Sequence, residues 1–172
     1  MNKHGKHVIG WDEISHAKLK SNSLVQYWAK EENAQAAVKQ GAKVLMSPAK
    51  KAYLDMQYDS TTHLGLHWAA YIEVDSAYIW DLASIAKGIK KDDIIGVEAP
   101  LWSETITNLN DLEYMVFPRL LGIAEIGWSP PKIRNWSDYK HRLSRQQARL
   151  EILGINYYPS KLVPWPTVPI QN

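Results

Sequence analysis

Short apolar, β-branched runs alternate with longer polar stretches along this chain. The runs His7–Trp11 (HVIGW), Leu24–Trp28 (LVQYW), Lys43–Met46 (KVLM) and Gly96–Leu101 (GVEAPL) read as strands, the first two buried. Ser47-Pro48 ends the third, because the residue before a proline leaves regular pairing. Residues 29–40 are rich in Ala, Glu and Lys and run into Gly41, the composition of a helix closed by a glycine C-cap. Further helices are predicted from about Asp111 to Ile126, interrupted near Pro118, and from Ser137 to Leu153, with Ser137 as N-cap and Gly154 as terminator.

Strands alternating with helices predict βα units on a parallel sheet, hence the α/β class with flanking helices. A complete (β/α)8 barrel takes about 250 residues, so a chain of 172 predicts half a barrel plus appendages. Residues 1–155 form that partial domain, and 156–172 a proline-rich, extended tail lying against it through Tyr157, Tyr158 and Trp165. The stretch from Asp55 to Gly96 is too long for an ordinary connection, and excursions at the C-terminal ends of barrel strands commonly carry substrate contacts. This one contains Trp68, Tyr71, Tyr78 and Trp80.

Composition narrows the chemistry. A net charge of +2 with no block of like charge argues against a nucleic-acid surface and for a neutral partner. The absence of cysteine excludes disulfides and thiolate metal sites and leaves the compartment open. No apolar run reaches the roughly 18 residues of a membrane span, and the start lacks the apolar core of a signal peptide, so the chain is expected to be soluble. Trp is the outlier, eight copies against one Phe. Phe is the simpler core filler, so an excess of Trp and Tyr points towards ring stacking on carbohydrate.

The triplets Trp11-Asp12-Glu13, Tyr53-Leu54-Asp55 and Trp102-Ser103-Glu104 each set an aromatic residue two positions before a carboxylate. On an extended strand such residues share a side, offering a flat face for pyranose C–H groups beside an acceptor for hydroxyls.

The segments VIGWDEI, LVQYW, VLMSPAKKAYLDMQY, LGLHWAAYIEV, GVEAPLWSETI and MVFPRLLGIAEIGWSP, in that order, resemble the second half of the catalytic domain of glycoside hydrolase family 20 β-N-acetylhexosaminidases. The resemblance implies a (β/α)8 TIM barrel of which about strands 5 to 8 are present. It implies that Trp11, Trp28 and Trp68 wall the N-acetyl group and terminal sugar, and that Tyr53 holds the acetamido oxygen with Asp55 close by. Trp102 becomes the platform under the ring and Glu104 the acceptor for the outer hydroxyls. The ligand is an oligosaccharide ending in an N-acetyl-hexosamine, and no cofactor or metal is implied.

The family uses a substrate-assisted retaining mechanism in which the acetamido oxygen attacks the anomeric carbon. An adjacent Asp-Glu pair in a His-x-Gly-Gly-Asp-Glu motif orients the acetamide and transfers the proton. That motif is missing here, as is the family's sugar-gripping arginine, so the chain alone is expected to be inactive. Asp12-Glu13 is a tempting substitute, but its flanks match the Gly-Trp strand that follows the catalytic one. A non-catalytic carbohydrate-binding module is the alternative, since it needs only the aromatic walls and Glu104. Half a barrel also exposes strand edges and an apolar sheet face, which predicts self-association or pairing with the missing N-terminal half-barrel.

Other constellations read as structural. His63 and His67 lack a third ligand. Lys140, Arg142, Arg145 and Arg149 form a solvated helix face, and Ser47 and Ser103 lack triad partners. Trp128 and Trp136 are expected to pack, and Arg119 to bind carbonyls or an ion-pair partner.

Overall fold

The computed structural model describes residues 4–166, which divide into two compact units, residues 4–53 with 80–100 and residues 54–79 with 101–166. The last part of the expected tail, 167–172, lies outside the described residues. No described helix is long and apolar enough to cross a membrane.

The first unit carries a four-stranded parallel sheet, β1 (Ile9–Trp11), β2 (Leu24–Tyr27), β3 (Lys43–Met46) and β4 (Ile94–Val97), neighbours in chain order. The first three predicted strands are thus present, whereas the fourth is displaced: it runs Ile94–Val97, sharing only Gly96 and Val97 with the expected Gly96–Leu101. Helix α1 (Glu31–Lys39) follows β2, and the chain leaves it through Gly41 at φ +84, a left-handed turn that glycine adopts without a Cβ penalty. Its small buried residues Ala34 and Ala37 let it sit close on one sheet face, against Tyr27, Val44 and Met46 in one cluster and Val25 in another. Alternation then directs Gln26 and Leu45 to the opposite face. β1 is not a buried strand: Ile9 is 54% exposed, because β1 pairs on one side only and its unit places nothing over that residue.

After β3 comes a single helical turn, α2 (Ala49–Ala52), which ends the first unit's leading segment at Tyr53. The second unit is built from α3 (Val74–Tyr78), α4 (Leu109–Val116), α5 (Arg119–Trp128), α6 (Trp136–Ser144) and α7 (Gln147–Ile152). Pro118 separates α4 from α5, as the sequence predicts. The expected helix from Ser137 to Leu153 is instead two, α6 and α7, because Arg145 and Gln146 tighten to ψ −16 and −11. Its N-cap is Asn135, whose side chain accepts from the Asp138 amide, and not Ser137. Asn caps as well as Ser does, and starting at Asn135 lets Trp136 reach the core.

That core is aromatic: Tyr78 stacks on Tyr139 at 4.0 Å and Tyr58 on Tyr158 at 3.8 Å, with Trp136 and Trp165 packed against the cluster. The segment 156–166 therefore contributes Tyr158 and Val163 to the interior of this unit. Tyr78 is buried in this aromatic core, and Trp80 is buried in the first unit. Trp128 corrects another expectation, being 92% exposed at the last position of α5, where the chain turns away through Ser129 and Pro130.

Candidate functional site

None of the three aromatic-carboxylate triplets lies on an extended strand. Trp11 closes β1, but Asp12 and Glu13 already belong to a 3₁₀ turn, Asp12–His16. Tyr53 caps α2 and Leu54-Asp55 is a turn, and Trp102 to Glu104 runs through a loop beyond the end of β4. Each triplet falls where ladder pairing has run out, so strand alternation does not govern it.

The candidate residues fall in both units. In the first, Trp11 is the register partner of Gln26 and shares its sheet face, away from α1. Trp28 follows β2, half-buried, and its indole Nε1 donates to Glu13 at 3.1 Å. Tyr53 is buried at the end of α2. Near them lies a polar group that the sequence reading missed. The Glu98 carboxylate, just past β4, accepts from the Gln26 amide and, at 3.1 Å, from the Ser47 hydroxyl. The available signal was a Gln and a Glu inside otherwise apolar runs.

In the second unit the arrangement is more pointed. Asp55 is 2% exposed, yet neither carboxylate oxygen completes a hydrogen bond of ordinary geometry with a described residue. Burial raises its pKa. The backbone amides of Asp55 itself and of Trp102 oppose the rise, whereas the Glu104 charge adds to it. Asp55, Trp102 and Glu104 are therefore neighbours, with Glu104 exposed and the Trp102 ring 42% exposed. Trp68, 57% exposed, rides on a loop that returns to the Asp55 segment at both ends: Leu66 N–H donates to Asp55 O, and Ile72 N–H donates to Gln57 O, each at 2.8 Å. Tyr71 lies on the same loop, its ring stacked on His67.

A carboxylate buried with so little hydrogen bonding is costly unless something else meets it. Beside exposed indoles, its surroundings suit a neutral ligand that brings hydroxyl or amide donors and an apolar face. Among the described residues no group of three His, Asp or Glu side chains stands close enough to hold a metal ion. Arg119 binds carbonyls, one of the two roles its sequence context suggests.

The profile of the catalytic domain of glycosyl hydrolase family 20 matches residues 1–131. A β-N-acetylhexosaminidase of Cellulomonas fimi is 43% identical over 167 residues, covering 94% of this chain and 33% of that protein. The solved family 20 β-N-acetylhexosaminidase of Streptomyces coelicolor superposes with a TM-score of 0.91 at 43% identity, over 96% of this chain and 35% of that one. A mutant Streptomyces plicatus β-hexosaminidase, in complex with product GlcNAc, superposes with a TM-score of 0.92 at 43% identity, over 96% of this chain and 34% of that one. These matches place the chain among the glycoside hydrolases. It belongs to glycoside hydrolase family 20, and it spans about a third of the length of the relatives it matches.

Proposed function

We propose that the chain is the part of a β-N-acetylhexosaminidase catalytic domain that supplies about strands 5 to 8 of the barrel and recognises the terminal, non-reducing N-acetyl-hexosamine of an oligosaccharide. Trp11, Trp28 and Trp68 contact the acetamide methyl and the sugar, Tyr53 its acetamido oxygen, Trp102 the ring face, and Asp55 and Glu104 its polar groups. The reaction is substrate-assisted and retaining, with the acetamido oxygen as nucleophile. Within these 172 residues no Asp-Glu pair takes the acid/base role, so that pair comes from an N-terminal half-barrel. General acid/base catalysis is worth about 10²- to 10⁴-fold, and the chain by itself turns over little or nothing.

The observation that carries this reading is the buried Asp55 carboxylate, lacking a hydrogen bond of ordinary geometry, beside Trp102 and Glu104. The family relatives are hexosaminidases, and nothing in the geometry favours a free-standing binding module. The test is a titration with N-acetylglucosamine followed by Trp fluorescence, with a chromogenic GlcNAc glycoside assayed in the same samples. Saturable binding that weakens in D55N, with negligible turnover, is expected. Absence of binding refutes the recognition role, and robust Glu13-dependent turnover refutes the assignment of the acid/base pair.

A further inference from the structure

Arg119 is fully buried in the second unit, and its planar guanidinium has five N–H donors in a fixed fork. Two bonds go from Nη2, to Leu54 O at 2.6 Å and Met115 O at 2.7 Å, and two from Nη1, to Met56 O at 2.7 Å and Ile72 O at 3.1 Å. The Tyr58 ring lies 3.8 Å from its central carbon and holds the plane from one side.

Leu54 and Met56 flank Asp55. Their carbonyls go to Arg119, while Asp55 O and Gln57 O accept from Leu66 and Ile72. Every carbonyl from Leu54 to Gln57 is thus committed, and Arg119 takes the two that bracket Asp55. The same Nη1 also reaches the end of the loop that carries Trp68. The Asp55 carboxylate, by contrast, has no side-chain hydrogen-bond partner among the described residues. A backbone fixed on both sides of a buried carboxylate that has acceptor capacity to spare is what preorganised recognition requires.

We propose that Arg119 is a positioning residue for sugar recognition: without touching the sugar, it aims the Asp55 carboxylate and anchors the Trp68 loop through carbonyls of both segments. The inference rests on the assignment of Asp55 to the sugar made above. A purely structural arginine would stabilise the unit equally well whatever stood at position 55, and that difference is measurable.

The experiment uses the full chain and N-acetylglucosamine as probe, with R119K, D55N and R119K/D55N compared by fluorescence titration. Lysine keeps the charge but not the fork. R119K is expected to weaken binding about tenfold, within the range of coupling between interacting residues. D55N weakens it at least as much, and the double variant no more than D55N alone. Additive losses overturn the proposal, because Arg119 would then act independently of Asp55. R142A, which breaks bonds to Glu125 and Asp138 in the same unit and touches none of these groups, serves as the stability control and leaves affinity unchanged. If R119K does not fold, the wild type still decides: the Arg119 guanidinium NMR signals must shift with pH at the midpoint of the Asp55 carboxyl carbon, and independence of the two overturns the proposal. If the wild type does not bind the sugar, the recognition reading fails, and this same pH coupling separately decides whether Arg119 senses Asp55.

Discussion

The side-chain amide of Asn33 donates to Asp12 Oδ1 at 2.7 Å, tying the 3₁₀ turn after β1 to the first turn of α1. The other oxygen, Oδ2, accepts from the Ala29 and Lys30 amides at 3.1 and 3.0 Å. Asp12 thus holds the two residues that lead into a helix that has no local side-chain cap. Glu13, next in sequence, is exposed and accepts from Trp28. The adjacent acids thus have separate structural partners, one inside the fold and one at its surface.

Replacing Asp12 by Ala is expected to destabilise the protein by about 2 to 4 kcal/mol, the sum of the lost bonds to the Ala29 and Lys30 amides and a stranded Asn33 amide. D12N restores part of it. Urea denaturation of both variants checks the order, and an unchanged midpoint in D12A contradicts this anchoring role.

Asp55 predicts an unusual pH dependence. Its folded pKa is raised, chiefly by burial, so the stability it contributes is present below the ordinary carboxylate pKa of about 3.9 and is lost as pH rises through the folded value. D55N is therefore expected to be more stable than wild type near neutral pH, the two converging below about pH 4, while sugar binding weakens. Urea melts across that range measure it. A less stable D55N at neutral pH would mean that the carboxylate is satisfied after all.

Gly65 sits at φ +97, and a Cβ there would lie 2.5 Å from Met115 Cε and 2.7 Å from Asp55 O. The methionine end can move, but the backbone oxygen is held by Leu66 and cannot do so cheaply. G65A is expected to cost about 2 kcal/mol or more and to release the Leu66 amide. Hydrogen exchange at Leu66 reads out the second effect independently of the first.

Arg142 makes a two-point contact with Glu125, at 2.7 and 2.8 Å, and a further bond to Asp138 at 2.6 Å. The bonds from Arg142 to Glu125 hold the Glu125 pKa below its usual range, with the Tyr78 hydroxyl helping and the Asp138 charge opposing. R142A is expected to lose about 1 to 2 kcal/mol at neutral pH. Because the folded pKa is depressed, that contribution is present above the ordinary glutamate value and fades as pH falls through the folded one. Thermal melts of R142A and wild type, compared at neutral and acid pH, follow the difference.

The β1, β2, β3 and α1 segments were legible because strand pairing and helix propensity act over a few residues, and β-branched runs closed by Ser-Pro or Gly carry that information locally. The break at Pro118 was legible for the same reason. The split between α6 and α7 was not, since nothing at Arg145 or Gln146 opposes a helix and a small tightening of backbone angles made the difference. The Asp55 neighbourhood was half legible: Tyr53-Leu54-Asp55 stood out as a motif, but for the wrong geometric reason, a strand that is a turn.

The order of elements, the parallel α/β class and the family motifs were written in the chain itself, because each depends on neighbours a few positions apart. Whether a carboxylate would anchor the approach to a helix, as Asp12 does, or remain buried without a conventional bond, as Asp55 does, was decided only by tertiary structure. Burial and hydrogen bonding depend on groups that arrive from distant positions, such as Arg119 reaching back to Leu54 and Met56, and no local pattern records which of them will meet.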